Sequence, residues 1–479
     1  MLNFFKEKWK AIVAIAVATI FLLLNHYFAV HDQLYFMLVP IAVLTIILFL
    51  KNIDLALIAT AFVTPFSVNT AVFENSELSL PAEPLMILLS LVFIIRAVIE
   101  HRYSSKIFRH PVTIAILVMM VWMIVTSATS QILLVSFKYT VARLWFVVPF
   151  FFAGVYVFRD VRRIRQFFWG YAIGLIVIIV ISTARTIGHL HDLNTLHHAM
   201  KPFYNDHTAY GCVIALMLPA AFYYIFSRAS KGWVRLWWVA VFGVLLLGLY
   251  LSFSRAAWIS VVAAVVVFFA IRMGMKIKWM VLSFVVGVSL FFAYQGDLLY
   301  KMGKNSTDSS TELSSQVKSI SNISTDASNL ERLNRWASAL RMWKEHPFVG
   351  TGPGTYQFLY ASYQRSYQLS VISTNAGDLG NAHSEYIGPL AEQGIPGTAC
   401  ITVVFLLTFA TGVRTYRSVK NRTIAHTALA FTLSLLTYYV HGAFNNFLDT
   451  DKLSVPFWGF TAVIVAIDIF SEKLDEKSA

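Results

Sequence analysis

The chain has 479 residues, of which 57% are hydrophobic and 13% charged, and its formal net charge is +13. A soluble domain would carry about a quarter charged residues, so the composition excludes an ordinary soluble protein. The apolar residues fall in blocks of about 20, the length that a helix needs to cross a bilayer. Because lipid cannot hydrogen-bond to exposed backbone, each block is predicted to be helical. The predicted fold is therefore an all-α polytopic membrane protein; a β-barrel would show weak alternation instead of continuous apolar runs.

The first apolar block, residues 11–30, follows three lysines and superficially resembles a secretory signal. It lacks a small-x-small cleavage site and another apolar block follows it, so we expect the first transmembrane helix here. Both cysteines, Cys212 and Cys400, lie in apolar segments, and neither a disulfide framework nor a metal cluster is predicted.

About 12–14 transmembrane helices are predicted. Basic residues concentrate in alternate connections, which indicates cytoplasmic N- and C-termini in a bacterial inner membrane. This positive-inside pattern accounts for most of the net charge, so no nucleic-acid partner is expected. We interpret segment 131–143 as a possible interfacial helix. The candidate spans are residues 11–30, 34–50, 54–70, 81–99, 112–128, 144–158, 168–187, 209–227, 233–252, 256–271, 279–295, 384–411, 424–446 and 454–470.

This topology predicts four parts. Residues 1–295 form a bundle of about eleven spans, residues 296–382 a large periplasmic loop, residues 383–470 the last three spans, and residues 471–479 a cytoplasmic tail. The first third of the loop is rich in Ser, Thr and Asn, which is typical of flexible chain. The remainder has aromatic residues at helical spacing and is predicted to fold as a helical cap.

Arg255, in the sequence SFSRAAW, lies in a tight outer turn where the positive-inside rule predicts no basic residue. An arginine there must meet a buried carboxylate, a lipid head group or an anionic substrate. Snorkelling to the membrane interface is the alternative. The flanking Ser252 and Ser254 add hydrogen-bond donors and favour an anion site. In the segment before the sixth span, Lys138 and Arg143 are weaker candidates for anion binding.

The loop sequence ERLNRWASALRMWKE is predicted to be a helix whose packed stripe contains Trp336, Leu340 and Trp343. Arg332 lies beside this stripe, whereas Arg335, Arg341 and Lys344 are assigned to a solvated face. The following TGPG is interpreted as a turn, because it lacks the Lys-Ser/Thr and the preceding strand of a phosphate-binding loop.

His383 lies where the loop re-enters the membrane, and histidine is a good general base near neutral pH. A metal site with Glu385 and Glu392 is not predicted, because a helix would separate these side chains. Gly394 and Pro396 predict an interrupted helix lining a cavity. The irregularly spaced histidines within residues 188–208 are interpreted as a solvated loop instead of a metal site.

Four local signatures together resemble the O-antigen ligase family, which also contains polysaccharide polymerases and protein O-oligosaccharyltransferases. The signatures are FYNDHTAYG, SFSRAAW, the loop pattern R-x-x-x-W…HP-x-x-G-x-G, and the re-entry pattern H-x-x-Y…AE-x-G-x-x-G. They cover roughly residues 200–450. The sequence departs from many relatives at Ser384, where an asparagine commonly follows the histidine.

The resemblance implies transfer of a glycan from undecaprenyl diphosphate to lipid A–core on the periplasmic face, with inversion and without a metal or other cofactor. It implies that Arg255 and Arg332 engage the diphosphate and that His383 activates the acceptor hydroxyl. Arg335 competes with Arg332 for its role. Further candidate substrate-binding residues are Arg335, Lys138, Arg143, Tyr386 and Glu392.

Two alternatives within the family are a repeat-unit polymerase and a protein O-oligosaccharyltransferase, and the sequence does not separate them from a ligase. A polysaccharide flippase or other transporter is the alternative of another class. Transporters place ionisable residues at mid-membrane and contain inverted repeats. Here the unusual charges cluster at the outer face in the second half of the chain, which argues against transport.

Overall fold

A computed structural model describes residues 2–31, 34–73, 76–100, 104–188, 193–227, 230–283, 286, 327–370, 373 and 380–478. Within these ranges, 10 helices are long and apolar enough to cross a membrane, and three shorter apolar helices precede them. The predicted all-α polytopic class is confirmed. The predicted flexible part of the loop and most of the predicted span 279–295 lie outside the described residues.

Residues Met1–Ala56 form one compact unit. It contains α1 (Leu2–Val30) and α2 (Val39–Lys51), joined through a 3-10 turn at Leu34–Leu38. Phe36 in this turn stacks on Phe28 of α1 at a ring distance of 4.8 Å. The two helices correspond to the first two predicted spans.

The predicted third span, residues 54–70, is wrong in its second half. Helix α3 (Ile53–Val63) ends in a 3-10 turn at Thr64–Phe66, and β1 (Val68–Phe73) and β2 (Ser76–Leu80) follow as an antiparallel hairpin. Pro65 explains the end of the helix, since proline lacks the N–H that a continuing helix requires.

The second compact unit, Leu57–Ala479, contains the remaining helices. Helix α7 runs from Leu133 through a π-helical turn at Val148–Ala153 to Val157 as one span. The predicted interfacial helix at 131–143 is thus wrong, because most of it is the first half of this span. The other helices are α4 (Ala82–Glu100), α5 (Ser105–Phe108), α6 (Pro111–Ala128), α8 (Val161–Thr186), α9 (Leu193–His198), α10 (His207–Phe226), α11 (Trp233–Leu251), α12 (Arg255–Arg272), α13 (Ala327–Glu345), α14 (Tyr356–Leu359), α15 (Ile387–Ser418), α16 (Arg422–His441) and α17 (Asp451–Ser478).

Basic connections meet at one end of this unit. The Asp468 carboxylate accepts from Arg414 at 2.7 Å and lies 3.2 Å from His110 Nε2. Arg417 donates to the Met275 carbonyl at 2.7 Å. Helices α12 and α15 both finish at this end of the bundle. Arg255, at the start of α12, and the start of α15 therefore lie at the opposite end.

Candidate active site

Helix α15 is broken at Gly394, whose φ of +69° is not helical. The break leaves backbone groups without partners inside the helix, and the turn of the preceding loop forms hydrogen bonds with them. Thr351 N–H donates to the Ala391 carbonyl at 3.1 Å, and Gly352 N–H donates to the Glu392 carbonyl at 2.8 Å. The predicted interruption of this helix is confirmed, and the TGPG turn is docked on it.

Two glycines make this docking possible. Gly350 has a φ of +67°, and a Cβ there would lie 2.2 Å from the carbonyl carbon of Glu392. Gly352 has a φ of +110°, and a Cβ there would lie 2.0 Å from Ser130 Oγ. Side chains at either position would collide with neighbours in an unfavourable backbone conformation. The glycines therefore serve close approach of the backbone.

The predicted helical cap contains α13, which packs through a buried apolar cluster. Trp336 is buried as expected, while Leu340 and Trp343 of the predicted stripe are half-buried. Ala339 and Met342 complete the buried face of the helix. The cluster also contains Tyr356, Tyr360, Ala382 and Ile387, so it joins the cap to the start of α15.

The assignment of Arg335 to a solvated face is wrong, because its side chain is only 9% exposed. Its guanidinium donates to the Glu331 carboxylate at 2.7 Å and to the Asn381 carbonyl at 3.1 Å. It also lies over the Tyr360 ring at 4.9 Å. The acidic partner four residues earlier on the same helix makes the burial of this charge tolerable.

Arg332, on the same helix, is half-buried and donates from Nε to the Phe444 carbonyl at 3.3 Å. This carbonyl belongs to the segment between α16 and α17. A neutral acceptor does not cancel the positive charge of the guanidinium. Arg332 acts electrostatically on two histidines, His383 and His441.

His383 has a φ of +49°, which is unusual for a residue other than glycine. Its backbone N–H donates to Asn381 Oδ1 at 3.1 Å, and its side chain is hydrogen-bonded to Asn445. Burial, together with the charges of Arg332 and Arg335, lowers the pKa of His383 to about 3. The imidazole is therefore neutral at physiological pH and able to accept a proton.

His441 and Asn445 join this cluster, and neither is among the residues predicted from the sequence. His441 is fully buried near the end of α16, and its Nε2 lies 3.2 Å from Asn445 Nδ2. A histidine at the end of an apolar span, followed by the polar pair in HGAFNN, is the signal that would have found them.

The turn that precedes Arg255 is held against α10. His207 Nδ1 lies 2.9 Å from the Ser252 carbonyl, and a Cβ at Gly211 would lie 2.7 Å from Ser252 Oγ. Arg255 begins α12, and the backbone of the next residue, Ala256, contacts the His441 side chain. The buried Oγ of Ser254 has no hydrogen-bond partner among the described residues.

Asp206 also belongs to this cluster, although no role was predicted for it from the sequence. It caps α10 by accepting from Thr208 N–H at 3.0 Å. Although burial disfavours its charge, His207 and the hydrogen bonds from Thr208 hold the pKa of Asp206 below its usual range. Its negative charge acts on both His383 and His441.

The remaining predicted residues have other surroundings. Lys138 is exposed on α7. Arg143 is buried, donates to the Leu448 carbonyl at 2.6 Å and to Tyr139 Oη at 2.8 Å, and lines a neighbouring cavity of about 120 Å³. The Tyr386 hydroxyl donates to the Tyr439 carbonyl at 2.8 Å, and the Glu392 carboxylate accepts from Tyr356 N–H at 3.0 Å.

No group of three or more His, Cys, Asp or Glu side chains in the described ranges is arranged to hold a metal ion. Of the histidine tract, His189 and His191 lie outside the described residues, whereas His197 stacks on His207 at a ring distance of 4.0 Å. Burial, with a smaller contribution from His207, lowers the pKa of His197 to about 4.

Residues 240–402 match a family model described as O-antigen ligase. This match supports membership of the O-antigen ligase family. The match includes Arg255, Arg332 and His383, whereas Asp206, His441 and Asn445 lie outside it. Members of the O-antigen ligase family are glycosyltransferase-like membrane enzymes. A comparison with curated proteins finds no match.

The docking of the turn on α15 is testable with Gly350→Ala. The added methyl group would meet backbone at 2.2 Å, and we expect a loss of at least about 2 kcal/mol from the free energy of unfolding. Thermal unfolding in detergent, with protease sensitivity of the cap as a second readout, measures this. Gly243→Ala is the matched control, because a Cβ there meets nothing within 4 Å. Equal stability of the two variants would contradict the docking.

Proposed function

We propose that this protein is an O-antigen ligase that moves a preassembled polysaccharide from undecaprenyl diphosphate to lipid A–core. The observation that supports this most strongly is the convergence of three elements at one end of the bundle. Arg255 begins α12, the cap carries Arg332, and His383 precedes α15. All three residues lie in the region that matches the family.

The orientation in the membrane follows from charge. The basic connections around Asp468 lie at the end of the bundle opposite the candidate site. The positive-inside rule assigns the basic end to the cytoplasm, so the site faces the periplasm of a bacterial inner membrane. The end of α17, beyond Asp468, is then cytoplasmic, and the sequence predicts the same side for the N-terminus.

Arg255 and Arg332 hold the diphosphate of the donor in this proposal. Guanidinium groups bind phosphate oxygens through paired, charge-assisted hydrogen bonds and stabilise the negative charge of a leaving diphosphate. Arg335 is already committed to an ion pair with Glu331 at 2.7 Å, and Arg332 is assigned this role because its charge acts on both His383 and His441. The Ser254 hydroxyl beside Arg255, which has no hydrogen-bond partner in the part of the chain that the structure describes, offers an additional donor.

His383 is the general base. The acceptor hydroxyl attacks C1 of the donor sugar, its proton passes to His383, and the bond between C1 and the diphosphate oxygen breaks. The electron pair leaves with the diphosphate, and attack from the opposite face inverts the anomeric centre. The residues supply the acid–base and charge-stabilising steps, so no metal or other cofactor is proposed.

The same arginines that bind the donor also control the base. In the free protein, Arg332 and Arg335 add to the effect of burial in lowering the pKa of His383. A bound diphosphate offsets these positive charges and makes the imidazole more basic. The base therefore gains strength when the donor is present.

The first prediction from this proposal concerns His383→Ala and Arg255→Ala. Loss of a general base lowers a rate by about 10²–10⁴-fold, and loss of a diphosphate contact acts in the same direction. We expect a glycolipid gel to show uncapped lipid A–core while lipid-linked polymer accumulates. Lys344→Ala, an exposed cation on α13, is the matched control and should leave capping unchanged.

Other results of the same experiments would support the alternative functions. Lipid A–core bearing a single repeat unit in the variants would indicate a polymerase. Loss of glycan from secreted proteins with intact lipopolysaccharide would indicate protein O-glycosylation. Normal capped lipopolysaccharide in both variants would overturn the proposed roles, and purified protein that fails to transfer glycan would leave transport as the better account.

A second prediction concerns pH. A base works when it is deprotonated, so lowering the pH reduces activity only as the pH passes through the pKa of His383. Because this pKa is about 3 in the free protein, kcat/KM should show no His383 limb near the ordinary value of 6.5. Arg332→Gln removes one of the lowering charges and should move this limb to higher pH. A wild-type limb at 6.5 that Arg332→Gln does not shift would contradict the coupling.

A further inference from the structure

A second cavity, of about 260 Å³, borders the candidate site. Its walls come from the hairpin β1–β2, the loop before α10, and the segment that joins α16 to α17. Two of its lining residues also belong to the site: Asp206, which acts electrostatically on His383, and Asn381, whose side chain accepts from the His383 backbone. A group bound in this cavity therefore lies next to the general base.

We call this space the Asp451 cavity. Among its described lining residues, carboxylates outnumber cations by five to one: the cation is Lys452 and the carboxylates are those of Glu77, Glu83, Asp206, Asp449 and Asp451. Such an excess of negative charge repels phosphate and carboxylate groups. We therefore expect the diphosphate on the arginine side of the site and a different occupant in the Asp451 cavity.

One carboxylate in the cavity is buried with an unfilled bonding position. Asp451 is only 2% exposed, and its Oδ1 accepts from Lys452 at 3.1 Å. Its Oδ2 is buried and has no hydrogen-bond partner among the described residues, and the same holds for Oδ1 of Asn446 in the cavity wall. Buried acceptors without a donor destabilise the protein, so a ligand with several hydrogen-bond donors would relieve this cost.

The donors that fit are sugar hydroxyls. Carboxylate and amide oxygens accept from them, and the amides of Asn69 and Asn205 add donors for the ring and hydroxyl oxygens. Tyr204 and Phe203 supply aromatic surface for the apolar face of a pyranose. A metal ion is a poorer fit, since the described side chains form no cluster arranged to hold one.

Building on the proposed function, we propose that the Asp451 cavity is a saccharide subsite that accepts an uncharged sugar residue beside the bond being made. It discriminates against acidic sugars, because a carboxylate on the ligand would face the surplus of protein carboxylates. The sugar belongs either to the transferred glycan or to the acceptor. Both present the same chemistry, and the experiment separates them.

The test uses protein in nanodiscs and two pairs of substrates. In each pair, one sugar next to the transferred bond carries either a hydroxymethyl group or a carboxylate; one pair alters the donor and the other the acceptor. We expect wild type to favour the neutral sugar by about tenfold in kcat/KM within one pair, a difference of about 1.4 kcal/mol. The pair that shows the preference identifies which substrate occupies the cavity.

The double variant Glu77→Gln/Asp449→Asn removes two of the cavity charges at exposed positions, so folding should be preserved. We expect it to reduce the preference several-fold and to raise KM for the neutral sugar. Glu472→Gln makes the same chemical change at an exposed position of α17 beyond Asp468, at the other end of the bundle, and should alter neither quantity. Unchanged preference and KM in the double variant, with transfer intact, would overturn the saccharide subsite.

Binding of a soluble neutral oligosaccharide, measured by saturation-transfer NMR without turnover, separates the two proposals. Binding that weakens in the double variant but persists in His383→Ala supports the cavity even if no transfer activity is found, in which case the proposed function alone fails. No oligosaccharide binding to wild type, or binding that the double variant leaves unchanged, overturns the cavity while leaving the proposed function standing.

Discussion

The break in α15 at Gly394 is the feature on which the site depends. Inside a membrane protein, backbone groups released by a broken helix must find partners within the protein. Here the turn of the loop supplies them, through Thr351 and Gly352 on one side of the break and the carbonyl of Pro347 on the other, which accepts from Ile395 N–H at 3.0 Å. The cap that carries Arg332 is thereby fastened to the helix that His383 precedes.

This attachment brings together groups that are far apart in the sequence. Arg332 comes from the helical cap and His441 from the end of α16. Asp206 is the N-terminal capping residue of α10. A positive and a negative charge thus act on the same pair of histidines. In the proposed reaction this arrangement divides the work: arginines meet the departing diphosphate, a neutral imidazole takes the proton, and the carboxylate-rich cavity receives a sugar.

Much of the architecture could be predicted from the sequence because it follows from strong, local signals. Continuous apolar blocks predict the spans, and the glycine and proline residues around Gly394 predict the broken helix. Arg255 and His383 could be predicted because a charged or titratable residue at a membrane edge has few explanations other than a functional one. The family resemblance added Arg332 and is supported by the match over residues 240–402.

The errors have physical causes too. The predicted third span extends to residue 70, but Pro65 ends the helix, and the pairing of β1 with residues 76–80 makes the following segment a hairpin. Arg335 looks solvated by spacing alone, because its burial depends on Glu331 and on the distant carbonyl of Asn381. The histidine and the polar pair in HGAFNN mark His441 and Asn445 as candidates, but only the packing of α12 on α16 shows that they lie beside the turn of Arg255.

The central claim is that one donor diphosphate lies between Arg255 and Arg332, beside His383. The most direct measurement is a cryo-EM structure of the protein in nanodiscs with a lipid-linked glycan bound. The account predicts phosphate density about 3 Å from both guanidinium groups, with C1 of the sugar facing the imidazole. Phosphate density beside Arg143 or Lys138, with Arg255 and Arg332 unengaged, would contradict it.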